Sequence, residues 1–186
     1  MSEVVSTIPN YVAGTWQIDA VHSEVAFVVR HMMVSKVRGR FDSFEGQIVT
    51  AENPLESSAT ATIQAGSVNT GAPQRDDHIR SGDFFEAEKF PTITFRTTTI
   101  RSDGEDFAVD GELTIRGATH PITLAVEFNG IGPDAYGGTR IGLSATTEIN
   151  RNDFGVSYNG PIPGGGMAVS EKVTLSIEAE GVLQQG

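Results

Sequence analysis

Chemistry near neutral pH needs imidazole and carboxylate side chains, and this chain gathers several of them in one stretch. It has four histidines, at positions 22, 31, 78 and 120, and imidazole is the side chain whose ordinary titration lies closest to pH 7. The run Arg75-Asp76-Asp77-His78-Ile79-Arg80-Ser81-Gly82-Asp83 places two kinds of charge around one of them. Such a set could move a proton or hold an anion. The plainer reading is a short helix steadied by Arg–Asp pairs and caps. Arg75, Asp76 and Asp83 are read here as that structural charge cluster, and Gly82 as the helix terminator. Phe84, Phe85 and Phe90 follow at once and offer apolar surface, so the stretch from 75 to 91 reads as a lid.

Other chemistries lack their residues. No H-x-H, H-x-x-x-H or H-E-x-x-H spacing occurs, and no G-x-S-x-G elbow. Gly164-Gly165-Gly166 follows Pro163 in a loop instead of opening a helix after a strand, so it is not a phosphate cradle. There is no cysteine, which removes thiolate metal sites and a cysteine nucleophile. Neither a metal nor a cofactor is expected. Asp plus Glu number 24 against 13 Lys plus Arg, a formal charge of −11. That balance argues against nucleic acid or an anionic membrane surface as the main partner, although a local basic patch is compatible with it.

The elements that would position these groups are strands. Ser23, Val25, Phe27, Val29 and His31 alternate with Glu24, Ala26, Val28 and Arg30, a half-buried strand with His31 at the end of its apolar face. The residues from Met32 to Lys36 lack alternation and read as a short helical turn or bend. Val37, Gly39 and Phe41 share a face, and Phe44, Gly46 and Ile48 continue in the opposite phase, which predicts a bulge near Ser43. Further alternating runs carry Ala59, Ala61 and Ile63, then Ile93 and Phe95, then Phe107 to Ile115, then Ile122 to Phe128. Two more carry Ile141 to Ile149 and Val173 to Ala179. Turns are expected at residues 102–104 and 117–121, and loops at 129–138 and 150–167. About eight antiparallel strands at hairpin spacing fit one all-β domain, an up-and-down barrel, over residues 14–183 behind an arm at 1–13. A short helix is expected within the insertion at 75–82.

Whether that barrel is full stays open on spacing alone. Gly39, Ala59, Ala61, Ala65, Gly111, Ala145 and Ala179 are small residues on apolar-facing positions. They either leave room for a ligand or face large residues in tapered packing, and eight strands is the size at which both occur. His31 would meet a ligand's polar head in the first case and a backbone carbonyl in the second.

The residues also carry a resemblance. Asp19-x-x-His22-Ser23-x-Val25-x-Phe27 leads to His31-Met32-x-x-Ser35-x-Val37-x-Gly39-x-Phe41. Arg75-Asp76-x-His78, Asp83-Phe84-Phe85 and Phe90-Pro91-x-Ile93-x-Phe95 follow. Then come Gly111-x-Leu113-Thr114-Ile115-Arg116-Gly117-x-Thr119 and Arg151-x-Asp153-Phe154-Gly155. In this order they resemble the YceI family of polyisoprenoid-binding proteins. The resemblance implies a lipocalin-like antiparallel β-barrel of eight strands, hollow, with an elongated apolar pocket for a long-chain isoprenoid, a quinone-like molecule or a fatty amphiphile.

The ligand contacts expected on this basis are Phe27, Val29, His31, Met32, Phe41 and His78. Phe84, Phe85, Phe90, Phe95, Leu113, Ile115 and Phe154 complete them. The function expected is non-enzymatic binding, sequestration or transport of such a lipid. Two alternatives are an enzyme acting on a hydrophobic substrate, with His31 or His78 as acid–base group, and a stress-related interaction protein. A homodimer is compatible with the resemblance. Residues 1–14 lack a basic start and a long apolar run, so no secretory signal is read there and the cytoplasm is the expected compartment. Many members of the family look exported, so compartment does not carry over. No segment has 18 consecutive apolar residues, so none is expected to span a membrane.

Overall fold

The computed structural model describes residues 8–32, 34–159 and 169–185. Residues 1–7 of the expected arm, and residues 160–167 of the expected loop at 150–167 with its triple glycine, lie outside the described residues. Among the described residues, eleven strands form one sheet. They are β1 (Gly14–Ile18), β2 (Glu24–His31), β3 (Ser35–Phe41), β4 (Phe44–Thr50), β5 (Ser58–Gln64) and β6 (Val68–Asn69). After the helix α1 (Pro73–Arg80) come β7 (Thr92–Asp103), β8 (Asp106–Ile115), β9 (Ala118–Pro133), β10 (Thr139–Asn150) and β11 (Val169–Leu183). Every described pairing is antiparallel.

Eight staves close the barrel. The ring runs β1-β4-β5-β7-β8-β9-β10-β11 and returns to β1 through Trp16↔Leu183 and Ile18↔Gly181. β2, β3 and β6 continue three of these staves past a break: β1 into β2, β3 into β4, and β5 into β6. The break between β3 and β4 falls at Asp42 and Ser43, where the phase slip predicted a bulge. Its freed backbone groups are satisfied, with Asp42 N donating to Ser67 O at 3.0 Å and Ser43 N to Ser67 Oγ at 3.0 Å. At the break between β1 and β2, Asp19 N donates to Glu180 O at 2.8 Å, and Glu180 N donates to Ser23 Oγ at 2.9 Å. Both breaks thus re-aim a strand without leaving buried polar groups unpaired.

Several boundaries differ from the sequence reading. β2 and β3 join in a tight hairpin, with His31 opposite Ser35, so of the helical turn or bend expected there the chain makes a bend. The turn expected at 117–121 is only Arg116-Gly117, both left-handed (φ 51° and 75°), after which β9 resumes at Ala118. Most of the expected loop at 129–138 is strand, since β9 runs to Pro133. Gly130, at φ 139°, takes up the register shift opposite Gly142 and Leu143. α1 starts at Pro73, a residue whose missing N–H costs nothing in a first turn. It stops at Arg80 with Ser81 as its extended C-cap. The left-handed residue in this insertion is Glu86 (φ 48°) and not Gly82. No described helix is long and apolar enough to cross a membrane.

Two of the small inward residues are filled, not vacant. A Cβ on Gly39 would lie 2.2 Å from the Phe27 ring directly across the sheet. One on Gly111 would lie 2.3 Å from the Phe95 ring and 2.6 Å from the Arg96 carbonyl oxygen. Aromatic rings lie over both glycines, the tapered arrangement that covers a sheet glycine with a neighbour's ring. Ala59, Ala61, Ala145 and Ala179 face open lumen instead.

Candidate functional site

The lumen holds a cavity of about 550 Å³, within the range of small-molecule sites. Its wall is almost wholly apolar and runs between two buried clusters. One end is formed by Trp16, Ile48, Ile131 and Ile141. The other contains Phe27, Phe41, Ile63, Leu113, Ile115, Ile149 and Phe154, packed under α1 and the segment that follows it. Period-two strands deliver one side chain in two to this interior.

Polar groups at the Trp16 end satisfy one another. Trp16 is fully buried and its Nε1 donates to Thr50 Oγ1 at 2.9 Å. Thr50 Oγ1 also accepts from Gly14 N at 3.0 Å and donates to Val12 O at 2.9 Å. The Tyr11 hydroxyl donates to Ala51 O. The polar atoms of Trp16, Thr50 and Tyr11 are thus engaged within the protein.

The α1 end is different. Its lining residues Arg30, Arg75, His78 and Tyr158 are exposed, which makes this end the mouth. His78 Nε2 lies 2.8 Å from Asp83 Oδ2, and the His78 ring meets Phe84 and Tyr158 edge-on at centroid distances of 5.1 Å each. Phe84 and Tyr158 are 5.3 Å apart, so three rings form one rim. Behind it, Phe85, Phe41 and Phe27 descend into the lumen as a column with centroid steps of 5.9 and 5.6 Å. α1 is fastened from below. The buried Asp76 accepts from Thr70 N at 2.9 Å and from Thr70 Oγ1 at 2.5 Å, while Arg75 donates to Thr70 Oγ1 and O at 2.7 and 2.9 Å. Arg116 Nη1 donates to Phe84 O at 2.8 Å, and its Nη2 to Glu86 Oε2 at 3.2 Å, tying the lid to the β8–β9 turn.

Arg151 organises the opposite lip. It is 5% exposed and lines the cavity. Its guanidinium donates to Ser170 O at 2.8 Å, Val156 O at 2.7 Å, Tyr158 O at 2.8 Å and Val169 O at 3.2 Å. Val169 in turn pairs with His31 across β2 and β11. One arginine therefore links the His31 rung to the Tyr158 rim. Burial pushes its guanidinium down from its ordinary value, and among the described residues no carboxylate makes an ion pair with it.

The family of YceI-like domains matches residues 16–181. The chain belongs to this family. A UPF0312 protein of Staphylococcus aureus (strain N315) is 38% identical over 164 residues, covering 87% of this chain and 94% of the relative. The crystal structure of a Campylobacter jejuni YceI protein shares 31% identity at a TM-score of 0.72, over 84% of this chain and 90% of that one. A polyisoprenoid binding domain from Saccharophagus degradans has the same fold, with TM-score 0.71 at 20% identity, over 93% of this chain and 100% of that one.

In this YceI-like barrel, eleven of the thirteen residues expected to contact ligand line the cavity. They are Phe27, Val29, His31, Phe41, His78, Phe84, Phe85, Phe95, Leu113, Ile115 and Phe154. Met32 does not, because it sits left-handed in the hairpin turn (φ 53°) with 45% of its surface exposed. Phe90 does not either, since its ring covers Gly117, within 2.9 Å of where a Cβ would stand. Composition could not separate Phe90 from Phe84 and Phe85. Arg151 and Trp16 were missed as organising residues; the available signals were a charge in a Gly-rich loop for the first and a lone Trp in the first strand for the second.

Asp19, His22 and Glu180 cluster away from the mouth with ligand atoms within 4.8 Å of one another. Arg140 already occupies the place a cation would take, with Nη1 at 2.8 Å from both Asp19 and Glu180 and Nε at 3.1 Å from Asp134. Arg140 and then His22 hold the Asp19 carboxyl well below the usual carboxylate range. The Gly138 and Tyr136 amides, then Arg140, do so for Asp134. Carboxyls with depressed folded values contribute stability that is present above their unfolded value near 4 and lost as pH falls through the folded one. Wild type should therefore melt higher than Arg140→Gln at pH 7, and the gap between their melting temperatures should narrow steadily from pH 5 to pH 2. A gap independent of pH would show that Arg140 acts through packing instead of charge.

Proposed function

We propose that this protein binds a long-chain isoprenoid, or a quinone-like or fatty amphiphile, in its lumen without catalysing a reaction on it. The observation that carries this reading is the apolar cavity of about 550 Å³ inside a closed barrel with a polar mouth. Each methylene transferred from water to such a wall contributes about 0.8 kcal/mol, so a long chain gains affinity without a charge match. The tail points toward Trp16, where the polar atoms of Trp16, Thr50 and Tyr11 are already engaged, and the head lies between His31, Arg75, His78 and Arg151. Family membership supports the reading, as does the fold shared with a polyisoprenoid binding domain. The His78–Asp83 pair orients a rim ring, and the neighbouring Ser81 hydroxyl is taken up by backbone, donating to His78 O at 2.5 Å and accepting from Asp83 N at 3.3 Å.

Native mass spectrometry of protein purified without added lipid tests this. The expected result is one apolar molecule per chain, released on unfolding and replaceable by added polyprenol. An empty protein that takes up neither polyprenol nor fatty acid would refute it.

A further inference from the structure

We infer that the β2–β3 hairpin is a docking element for an anionic lipid bilayer, placed so that an amphiphile passes directly between membrane and lumen. The inference rests on the lipid-binding reading above. Period-two alternation gives this hairpin two unlike faces. Val29, His31 and Val37 point inward and line the cavity. Arg30, Lys36 and Arg38 stand on the other face and are exposed, Arg30 at the edge of the mouth and Lys36 and Arg38 clear of the cavity.

Arg30 and Lys36 are direct cross-strand partners, and Arg38 stands one rung away on the same face. Like charges set opposite each other destabilise a strand pair unless something neutralises them. Among the described residues none of the three makes an ion pair, whereas Arg40, the next rung, is matched by Asp42 at 2.9 Å. The adjacent β11 brings Glu171 and Lys172, with Lys172 paired to Glu148 at 3.5 Å, and leaves most of the positive excess in place. Between the basic rungs, the turn exposes apolar side chains, Met32 at 45% and Val34 at 86%. Cations around an apolar tip match the two layers of an anionic bilayer, headgroups and the acyl boundary beneath them.

The opposite end argues the same way by contrast. Val21 and Tyr136 are 87% and 89% exposed, but their backbone amides sit on carboxylates, Asp19 and Asp134, at 2.9 and 2.8 Å. An anionic surface repels that end. With a net charge of −11, the molecule as a whole is repelled too, so contact occurs hairpin first, at the side where the cavity opens.

The test is co-sedimentation of the full chain with vesicles of phosphatidylcholine alone, or mixed equally with phosphatidylglycerol. Wild type should bind the mixed vesicles, ignore the neutral ones and release as salt rises. Lys36→Glu/Arg38→Glu should weaken that binding at least about tenfold, since each cation near such a surface contributes about fivefold. Val34→Asp should weaken it as well. None of these side chains lines the lumen, so uptake of a fluorescent fatty acid added without vesicles should be unchanged in all the variants. Equal binding to both vesicle types, or full binding by the double variant, would overturn the inference. So would wild-type protein that takes up the fatty acid yet ignores mixed vesicles, an outcome that leaves lipid binding itself intact. A double variant that loses only self-association would reassign the hairpin to contact between two copies of the chain. Vesicle binding without fatty-acid uptake would instead sink the lumen reading and keep the docking surface.

Discussion

Arg151→Leu is expected to lower the melting temperature by roughly 10 °C and to open the mouth of the barrel. The wild-type guanidinium donates to four backbone carbonyls from a position that is 5% exposed. Leucine fills part of the volume and supplies no donor. Of the four acceptors, Val169 O keeps a second donor, Asn159 Nδ2 at 2.6 Å. The carbonyls of Val156, Tyr158 and Ser170 lose the arginine bond. Hydrogen bonds to a charged group contribute about 1.5–3 kcal/mol each, against which the cost of burying the charge must be set. A net loss of about 3–5 kcal/mol follows, and a chain of this length shifts by roughly 2–4 °C per kcal/mol. Arg151→Lys should recover only part of it, because one ammonium cannot reach a planar fork of carbonyls. Calorimetry of the three proteins measures this. A Leu variant that melts like wild type would mean that the lip is held by something other than Arg151.

The same residue links stability to the site. Tyr158 is held by Arg151 through its backbone and meets His78 and Phe84 through its ring. Freeing the backbone frees the rim, so the Leu variant should also exchange ligand faster than wild type.

Much of this was legible in the sequence, for physical reasons that differ by element. Half-buried strands show alternation, which is why β2, β7, β8 and β10 could be read from single residues, and why a phase slip located the break at Asp42 and Ser43. The resemblance carried by residues such as His31, Phe41 and Phe154 supplied the hollow interior, which spacing had left open. Alternation cannot report what lies across a sheet. For Gly39 and Gly111 spacing left both room and tapered packing open, and only the register shows the Phe27 and Phe95 rings lying over them. The end of β9 was hidden because Gly130 and Gly132 have the composition of a loop while their backbone pairs with β10, Asn129 being the residue skipped at the register shift. Arg151 was quoted only as part of a motif. Its four acceptors come from two separate stretches of chain, a convergence that no local pattern encodes.

Ala61 sits at mid-lumen on β5, opposite Gly46 and Phe95, and lines the cavity. Ala61→Phe should leave the barrel folded, because the added ring enters existing space and strains no packed neighbour. It should displace about four methylenes of any bound chain, and at about 0.8 kcal/mol each that is roughly two orders of magnitude in affinity. The measurement that bears most directly on the central claim is therefore the uptake of a long-chain polyprenol or fatty acid by wild type and by Ala61→Phe, with melting curves taken on both. The expected result is one molecule bound per wild-type chain and about a hundredfold weaker binding by the variant, at nearly unchanged melting temperature. Equal uptake by the two proteins would place the ligand outside the lumen and contradict the account.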